Sequence, residues 1–151
     1  MLPPYAETLG LYVDPDCADG CRLVMPYADG VLGRPGFLHG GAISGLMEMA
    51  AIVALRRALE EEGGGRIKPI NVTVDFMRGG RDKLTYSTGI VTRLGNRVAN
   101  VEATAWQDDG AKPIAAARMN YLIVRGQAHD GDPADPLAHV AGTFMAPEGY
   151  F

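Results

Sequence analysis

The sequence predicts an α+β fold in which one long helix lies across one face of an antiparallel sheet of about six strands. Residues 40–55 are uncharged except for one carboxylate, and their apolar side chains recur at helical spacing. From Lys68 onward the repeat changes to two residues, as in a half-buried strand. Short turns then separate consecutive strands, which is typical of antiparallel pairing.

The composition indicates one domain and excludes several kinds of partner. The chain has 151 residues, of which 47% are hydrophobic, enough for a single core over residues 1–125. Residues 126–151 are rich in Asp, Gly and Pro and show no period, so we expect an extension of uncertain order. The net charge of -4 gives no general attraction to nucleic acid.

The ends of the chain and its cysteines indicate a cytoplasmic protein without a metal. The first residues lack the basic and apolar regions of a secretory signal, and Glu48 and Arg56 interrupt the longest apolar stretch, which argues against a membrane span. Cys17 and Cys21 do not have the usual metal-binding or redox spacing, and no second pair accompanies them. We therefore expect no membrane contact, no metal and reduced thiols.

The first third of the chain predicts a hairpin followed by a loop. Residues 9–13 and 21–27 have the composition of short strands, and the residues between them favour turns. Residues 28–38 contain three glycines and a proline, so we expect a loop that leads into the helix. The helix ends at the three glycines of residues 63–65.

The second half predicts four strands. In residues 68–77, apolar Ile70, Val72, Val74 and Phe76 alternate with polar residues, which predicts a strand with one buried face. Residues 83–93, 97–106 and 113–124 complete the set. Because Gly79-Gly80, Gly95-Asn96 and Asp109-Gly110 favour turns between them, we expect a four-stranded antiparallel meander.

Glu48 is the candidate catalytic residue. A carboxylate in apolar surroundings is costly unless it is hydrogen-bonded, and desolvation raises its pKa toward the range useful for a base or nucleophile. The alternative is that Glu48 occupies a narrow exposed strip of the helix, where glutamate is a good helix former.

The start of the helix offers a second candidate group. Gly40 and Gly41 follow His39, and free N–H groups at a helix start can polarise a carbonyl or hold an oxyanion. A histidine at such a junction is more often a hydrogen-bonding group that orients the turn than a catalyst. Gly40 and Glu48 are eight residues apart, about 12 Å along a helix. If both act on one carbonyl, they come from two antiparallel subunits related by a two-fold axis.

These residues resemble those of a known family. The motif FLHGGAI at residues 37–43, the acid at Glu48 and the strand NVTVDFMR at residues 71–78 are similar to the hotdog-fold acyl-CoA thioesterases, most of all the phenylacetate-pathway type. The resemblance covers about residues 5–125. It implies a helix wrapped by a curved sheet and a homodimer, or a homotetramer built from dimers.

The resemblance also implies an activity and its residues. The Gly40 N–H would bind the thioester carbonyl, and Glu48 of the partner subunit would act as nucleophile or as general base on water. The substrate would be an aryl- or medium-chain acyl-CoA, with no cofactor besides the CoA that the substrate carries.

Two departures from the family pattern keep another function open. Related enzymes usually carry Asn or Gln six positions before the motif histidine, where this chain has Gly33, and some carry Ser or Thr where it has Ile52. A protein that binds acyl thioesters without hydrolysing them is therefore an alternative. A hydratase using His39, and a structural dimer in which Ser44 satisfies Glu48, are two more.

Arginines near two predicted turns are candidates for binding the phosphates of CoA. Arg78 and Arg81 follow one strand, and Arg93 and Arg97 flank the Gly95-Asn96 turn. Ordinary charged turn residues would look the same.

Overall fold

The computed structural model describes residues 2–126. Two helices, eight strands and a 3₁₀ turn follow one another in the order α1 (Pro4–Thr8), β1 (Tyr12–Val13), β2 (Leu23–Met25), the 3₁₀ turn (Asp29–Val31), β3 (Leu32–Arg34), β4 (Phe37–Leu38), α2 (Gly40–Glu61), β5 (Gly65–Phe76), β6 (Thr85–Leu94), β7 (Val98–Trp106) and β8 (Ala115–Arg125). The predicted extension at residues 126–151 lies outside the described residues, apart from Gly126.

The predicted fold class is confirmed. Six strands form one antiparallel sheet in the order β1-β2-β6-β7-β8-β5, and α2 packs across one face of it. The helix approaches so closely that a Cβ atom on Gly89 of β6 would lie 2.6 Å from the Ala50 carbonyl oxygen. Only glycine fits there, because any side chain would push the helix off the sheet.

The N-terminal third contains more structure than predicted. Residues 28–38, expected to be a loop, form the 3₁₀ turn and a small separate hairpin of β3 and β4. The first predicted strand shrinks to two residues, because the short helix α1 takes up the chain before it. The predicted pairing of the first two strands is confirmed, with Tyr12 opposite Val24.

The predicted four-stranded meander is wrong at its first connection. Strand β5 pairs with β8 rather than with β6 and forms one edge of the sheet. The Gly79-Gly80 pair does not close a hairpin. Instead, a Cβ atom on Gly79 would lie 2.9 Å from the Phe37 ring, and the Gly80 carbonyl accepts a hydrogen bond from the Leu38 N–H at 2.9 Å. The glycines therefore let this segment cross close over the start of α2.

The predicted buried face of β5 is exposed over most of its length in the single chain. Ile70, Val72 and Phe76 are 55%, 49% and 55% exposed, and only Val74 among the four is partly covered. Apolar and polar residues alternate along the sequence of β5, but α2 does not reach out over the sheet edge to bury the apolar ones. A register shift between Pro69 and Asn71 bulges the strand at Ile70.

Within residues 2–126, no helix is long and apolar enough to cross a membrane.

Candidate functional site

His39 caps the start of α2. It has an extended backbone and precedes the first helical residue, and its Nδ1 accepts a hydrogen bond from the Gly41 N–H at 2.8 Å. An accepting Nδ1 carries no proton, so a neutral ring in this geometry holds its proton on Nε2. A Cβ atom on Gly41 would lie 2.9 Å from that Nδ1, so a glycine at this position gives the cap its room.

The cap leaves one of the two predicted N–H donors free. The Gly41 N–H is used by His39, whereas the Gly40 N–H has no acceptor among the described residues. The Phe76 ring lies over Gly40, 3.1 Å from where its Cβ would be. This donor sits at the positive end of a 22-residue helix, beside an exposed apolar ring, and can bind a carbonyl oxygen.

Glu48 is partly buried and lacks a hydrogen-bond partner among residues 2–126. Ser44, one turn before it, donates its hydroxyl proton to the Gly40 carbonyl at 2.9 Å. The alternative in which Ser44 satisfies Glu48 is therefore wrong. Burial raises the pKa of Glu48 above its ordinary value of 4.5. Such a carboxylate is a better proton acceptor than an exposed one.

Tyr121 is a neighbour of Glu48 that the sequence did not indicate. It is 1% exposed, lies in β8 opposite Pro69 of β5, and donates its hydroxyl proton to the Met119 sulfur at 3.4 Å. Burial, and after it the charge of Glu48, raise the pKa of Tyr121. Glu48 therefore lies on the side of α2 that faces β8 and the exposed edge strand β5.

The raised pKa of Glu48 predicts a pH-dependent stability. The pKa of Glu48 is higher in the folded state than in the unfolded state. Its contribution to the free energy of unfolding is therefore complete below pH 4.5 and decreases as pH rises through the folded-state pKa. Glutamine keeps the shape and never ionises. We expect Glu48→Gln to unfold at a higher temperature than wild type at pH 7, with the difference shrinking toward pH 4.5. Thermal melts from pH 4.5 to pH 8 measure this, and a difference that does not change with pH would contradict it.

The two candidate groups cannot meet on one chain. Helix α2 is continuous from Gly40 to Glu61, so Gly40 and Glu48 are about 12 Å apart along its axis. One thioester carbonyl cannot contact both groups of the same helix.

Gly33 lies directly against His39. A Cβ atom on Gly33 would be 3.2 Å from the His39 Cα and 3.6 Å from its Cβ. The hairpin of β3 and β4 holds this contact, and the His39 N–H donates to the Val31 carbonyl at 2.8 Å. A side chain at position 33 would therefore require a shift of a few tenths of an ångström between this position and the histidine that caps the helix.

The predicted arginines fall at two opposite ends of the molecule. Arg78 and Arg81 lie on the segment that crosses the start of α2, where the backbones of Phe37 and Arg81 form an isolated antiparallel β-bridge. Arg93 and Arg97 flank the turn at the other end, where Arg125 both donates to the Gly95 carbonyl and pairs with Glu62 just beyond α2. The structure brings Arg78 and Arg81 near Gly40 but places Arg93 and Arg97 near the far end of the helix.

Comparison with known proteins places this arrangement in a family. The thioesterase superfamily matches residues 35–114, which include the helix start, Glu48 and strands β5 to β7. A protein of Halobacterium salinarum, provisionally named an esterase, is 29% identical over 126 residues, covering 78% of this chain and 82% of that protein.

Solved structures agree with this assignment. A crystal structure of a Chromobacterium violaceum protein is 34% identical, covers 80% of this chain and 83% of its own, and superposes with a TM-score of 0.61. A Bacillus halodurans protein crystallised with CoA has the same fold, with a TM-score of 0.68 at 16% identity over 80% of this chain and 75% of that one. The chain therefore belongs to the thioesterase superfamily, with one long helix packed on a six-stranded antiparallel sheet in the hotdog arrangement.

Proposed function

We propose that this protein hydrolyses acyl-CoA thioesters to the free acid and CoA, at sites that combine Gly40 of one subunit with Glu48 of the partner subunit. The observation that carries the proposal is a pair of groups on α2 without a hydrogen-bond partner among residues 2–126: the Gly40 N–H and the partly buried Glu48 carboxylate. Superfamily membership supports thioester chemistry, and the CoA bound by the Bacillus halodurans protein supports the carrier.

The chemistry follows from the two groups. The Gly40 N–H would polarise the thioester carbonyl and stabilise the negative charge that develops on its oxygen. As general base, Glu48 would take a proton from water while the water oxygen attacks the carbonyl carbon. The C–S bond then breaks, and the CoA thiolate leaves with the proton that Glu48 returns. As nucleophile, Glu48 would instead attack the carbonyl carbon and expel the CoA thiolate as the C–S bond breaks, and water would then hydrolyse the resulting anhydride to the free acid and the Glu48 carboxylate.

The exposed edge of β5 supports a homodimer. It is twelve residues long, apolar on one face and free of a strand neighbour on one side among the described residues. A long apolar edge of this kind pairs readily with another strand. A second copy lying antiparallel would cover Ile70 and Val72 and bring the two α2 helices side by side. Two such dimers could associate further into a homotetramer.

The apolar residues near Gly40 support an aryl or medium-chain acyl group, as in the phenylacetate-pathway enzymes. Phe76 lies over the Gly40 backbone, and Phe76 and the next residue, Met77, are 55% and 50% exposed. A flat ring and a flexible thioether at the site of the carbonyl would contact an apolar acyl group.

A thioester-binding protein without catalysis is the second candidate. Gly33 supplies no side chain to hold the carbonyl or an attacking water, and its backbone packs closely against His39. On this reading Gly40 would still bind the carbonyl, but turnover would be negligible.

Hydrolysis of a panel of acyl-CoAs separates the two functions. We expect wild type to hydrolyse phenylacetyl-CoA and medium-chain acyl-CoAs, measured by loss of thioester absorbance. That readout avoids thiol dyes, with which Cys17 and Cys21 could react because both are free. Acyl-CoA binding in calorimetry without any turnover would favour the binding protein, and absence of both would reject both functions.

A further inference from the structure

Two arginines share one phenylalanine ring next to the helix start. The guanidinium carbon of Arg34 lies 4.0 Å from the centre of the Phe37 ring, and that of Arg81 lies 4.3 Å from the same centre. The two cations are therefore at most about 8 Å apart, each held by the ring face. We call Arg34, Phe37 and Arg81 the arginine clamp.

The clamp is built into the fold. Arg34 lies opposite Phe37 in the hairpin of β3 and β4, and Phe37 forms an isolated antiparallel β-bridge with Arg81. Gln107 fixes the backbone of Arg81 from both sides: its Oε1 accepts from the Arg81 N–H, and its Nε2 donates to the Arg81 carbonyl, each at 2.9 Å. Three separate segments thus place the two guanidinium groups.

Neither cation of the clamp is neutralised within residues 2–126. No carboxylate there forms an ion pair with Arg34 or Arg81, although Lys83, two residues further on, pairs with Asp108 at 2.6 Å. Two like charges this close repel each other, and an anion that contacts both guanidinium groups would reduce that cost. The clamp therefore has the charge of an anion site.

We infer that the arginine clamp binds the diphosphate of the CoA nucleotide, an inference that rests on the proposed function. Guanidinium groups match phosphate oxygens with paired hydrogen bonds, and two of them suit two linked phosphates better than one. The clamp lies close to the proposed donor, the Gly40 N–H, but does not include it. Phe76 covers Gly40, and Gly79, three residues further along the chain, contacts Phe37.

The shared chemistry, a phosphate on pantetheine, also occurs in carrier-protein thioesters. A carrier protein offers one phosphodiester, whereas CoA offers a diphosphate. The inference therefore names CoA as the carrier and assigns the nucleotide end to Arg34 and Arg81. Arg93 and Arg97 of the same chain lie beyond the other end of α2. That helix has 22 residues and is therefore about 33 Å long, so these two arginines are far from the clamp.

Calorimetric titration tests the clamp without turnover. The ligands are CoA and 4′-phosphopantetheine, which lacks the nucleotide. The variant is a double variant that carries both Arg34→Gln and Arg81→Gln. We expect the Kd of CoA to rise at least about tenfold, and that of phosphopantetheine, which keeps one of the two phosphates, to rise by a clearly smaller factor. Arg118→Gln, an exposed arginine on the outer face of the sheet, is the matched control and should change neither.

Three results would overturn the inference: CoA binding to the double variant as tightly as to wild type, absence of CoA binding by wild type, or an equal loss for phosphopantetheine. The third would assign the clamp to the phosphate that carrier proteins share. Phe37→Leu serves as a second variant that keeps both charges. We expect it to raise the Kd of CoA less than the double variant does. Because binding is measured directly, a wild type that binds CoA but hydrolyses no acyl-CoA of the panel would reject the proposed hydrolysis and leave the clamp supported.

Discussion

Replacing Glu48 by glutamine should lower kcat for acyl-CoA hydrolysis by at least about a hundredfold, because a positioned general base contributes about 10² to 10⁴ in rate. The carboxylate is partly buried with a raised pKa and lacks a hydrogen-bond partner among the described residues, so glutamine in its place breaks no hydrogen bond there and should not impair folding. Glutamine keeps the size of the side chain and removes only the ability to accept a proton or form an anhydride. Steady-state kinetics on the best acyl-CoA of the panel measure the loss.

The matched control for this substitution is Glu60→Gln, on the exposed surface near the end of the same helix. It makes the same chemical change and should leave kcat within twofold of wild type. The melting temperature of both variants reports folding. Hydrolysis near the wild-type rate in a folded Glu48→Gln variant would show that Glu48 does not take part in catalysis.

The sequence predicted α2 well and made Glu48 a candidate because both signals are local. A helical repeat and a glycine stop are contained in one stretch of chain, and a lone carboxylate in that stretch is visible at once. The place of β5 was not predictable in this way. Strand pairing joins residues far apart in the sequence, such as Phe76 and Ala115, and a glycine pair fits a close crossing as well as it fits a turn.

The details of the site also depend on contacts that the sequence does not display. Gly40 and Gly41 are adjacent glycines, and only the position of the His39 ring decides which N–H stays free. Arg34 was not predicted as a candidate, because its partner Arg81 is 47 positions away and the two meet only through Phe37. The sequence showed that glycine N–H groups and arginines were available. Which of them are already hydrogen-bonded or paired could be seen only in the fold.

Replacing Gly40 by proline tests the N–H donor directly. Proline lacks the N–H but is favoured at the first position of a helix, and His39 before it has an extended backbone, with ψ of 134°, that suits a following proline. Gly40→Ala keeps the N–H while placing the same Cβ against Phe76. Since removing one oxyanion donor costs about 10² to 10³ in kcat, we expect Gly40→Pro to lose that much and Gly40→Ala to lose clearly less.

Mixed dimers of Gly40→Pro and Glu48→Gln should then recover activity that neither variant has alone. If each site takes Gly40 from one chain and Glu48 from the partner subunit, one of the two sites in a mixed dimer contains both intact groups and the other contains neither. Co-expression with two different affinity tags isolates such dimers, and we expect about half of the wild-type activity per dimer. If both groups acted within one chain, every site would carry one lesion and activity would stay at the level of the variants. The 12 Å rise of α2 between Gly40 and Glu48 favours recovery, because Glu48 of the same helix lies too far from the Gly40 N–H to act on the same carbonyl.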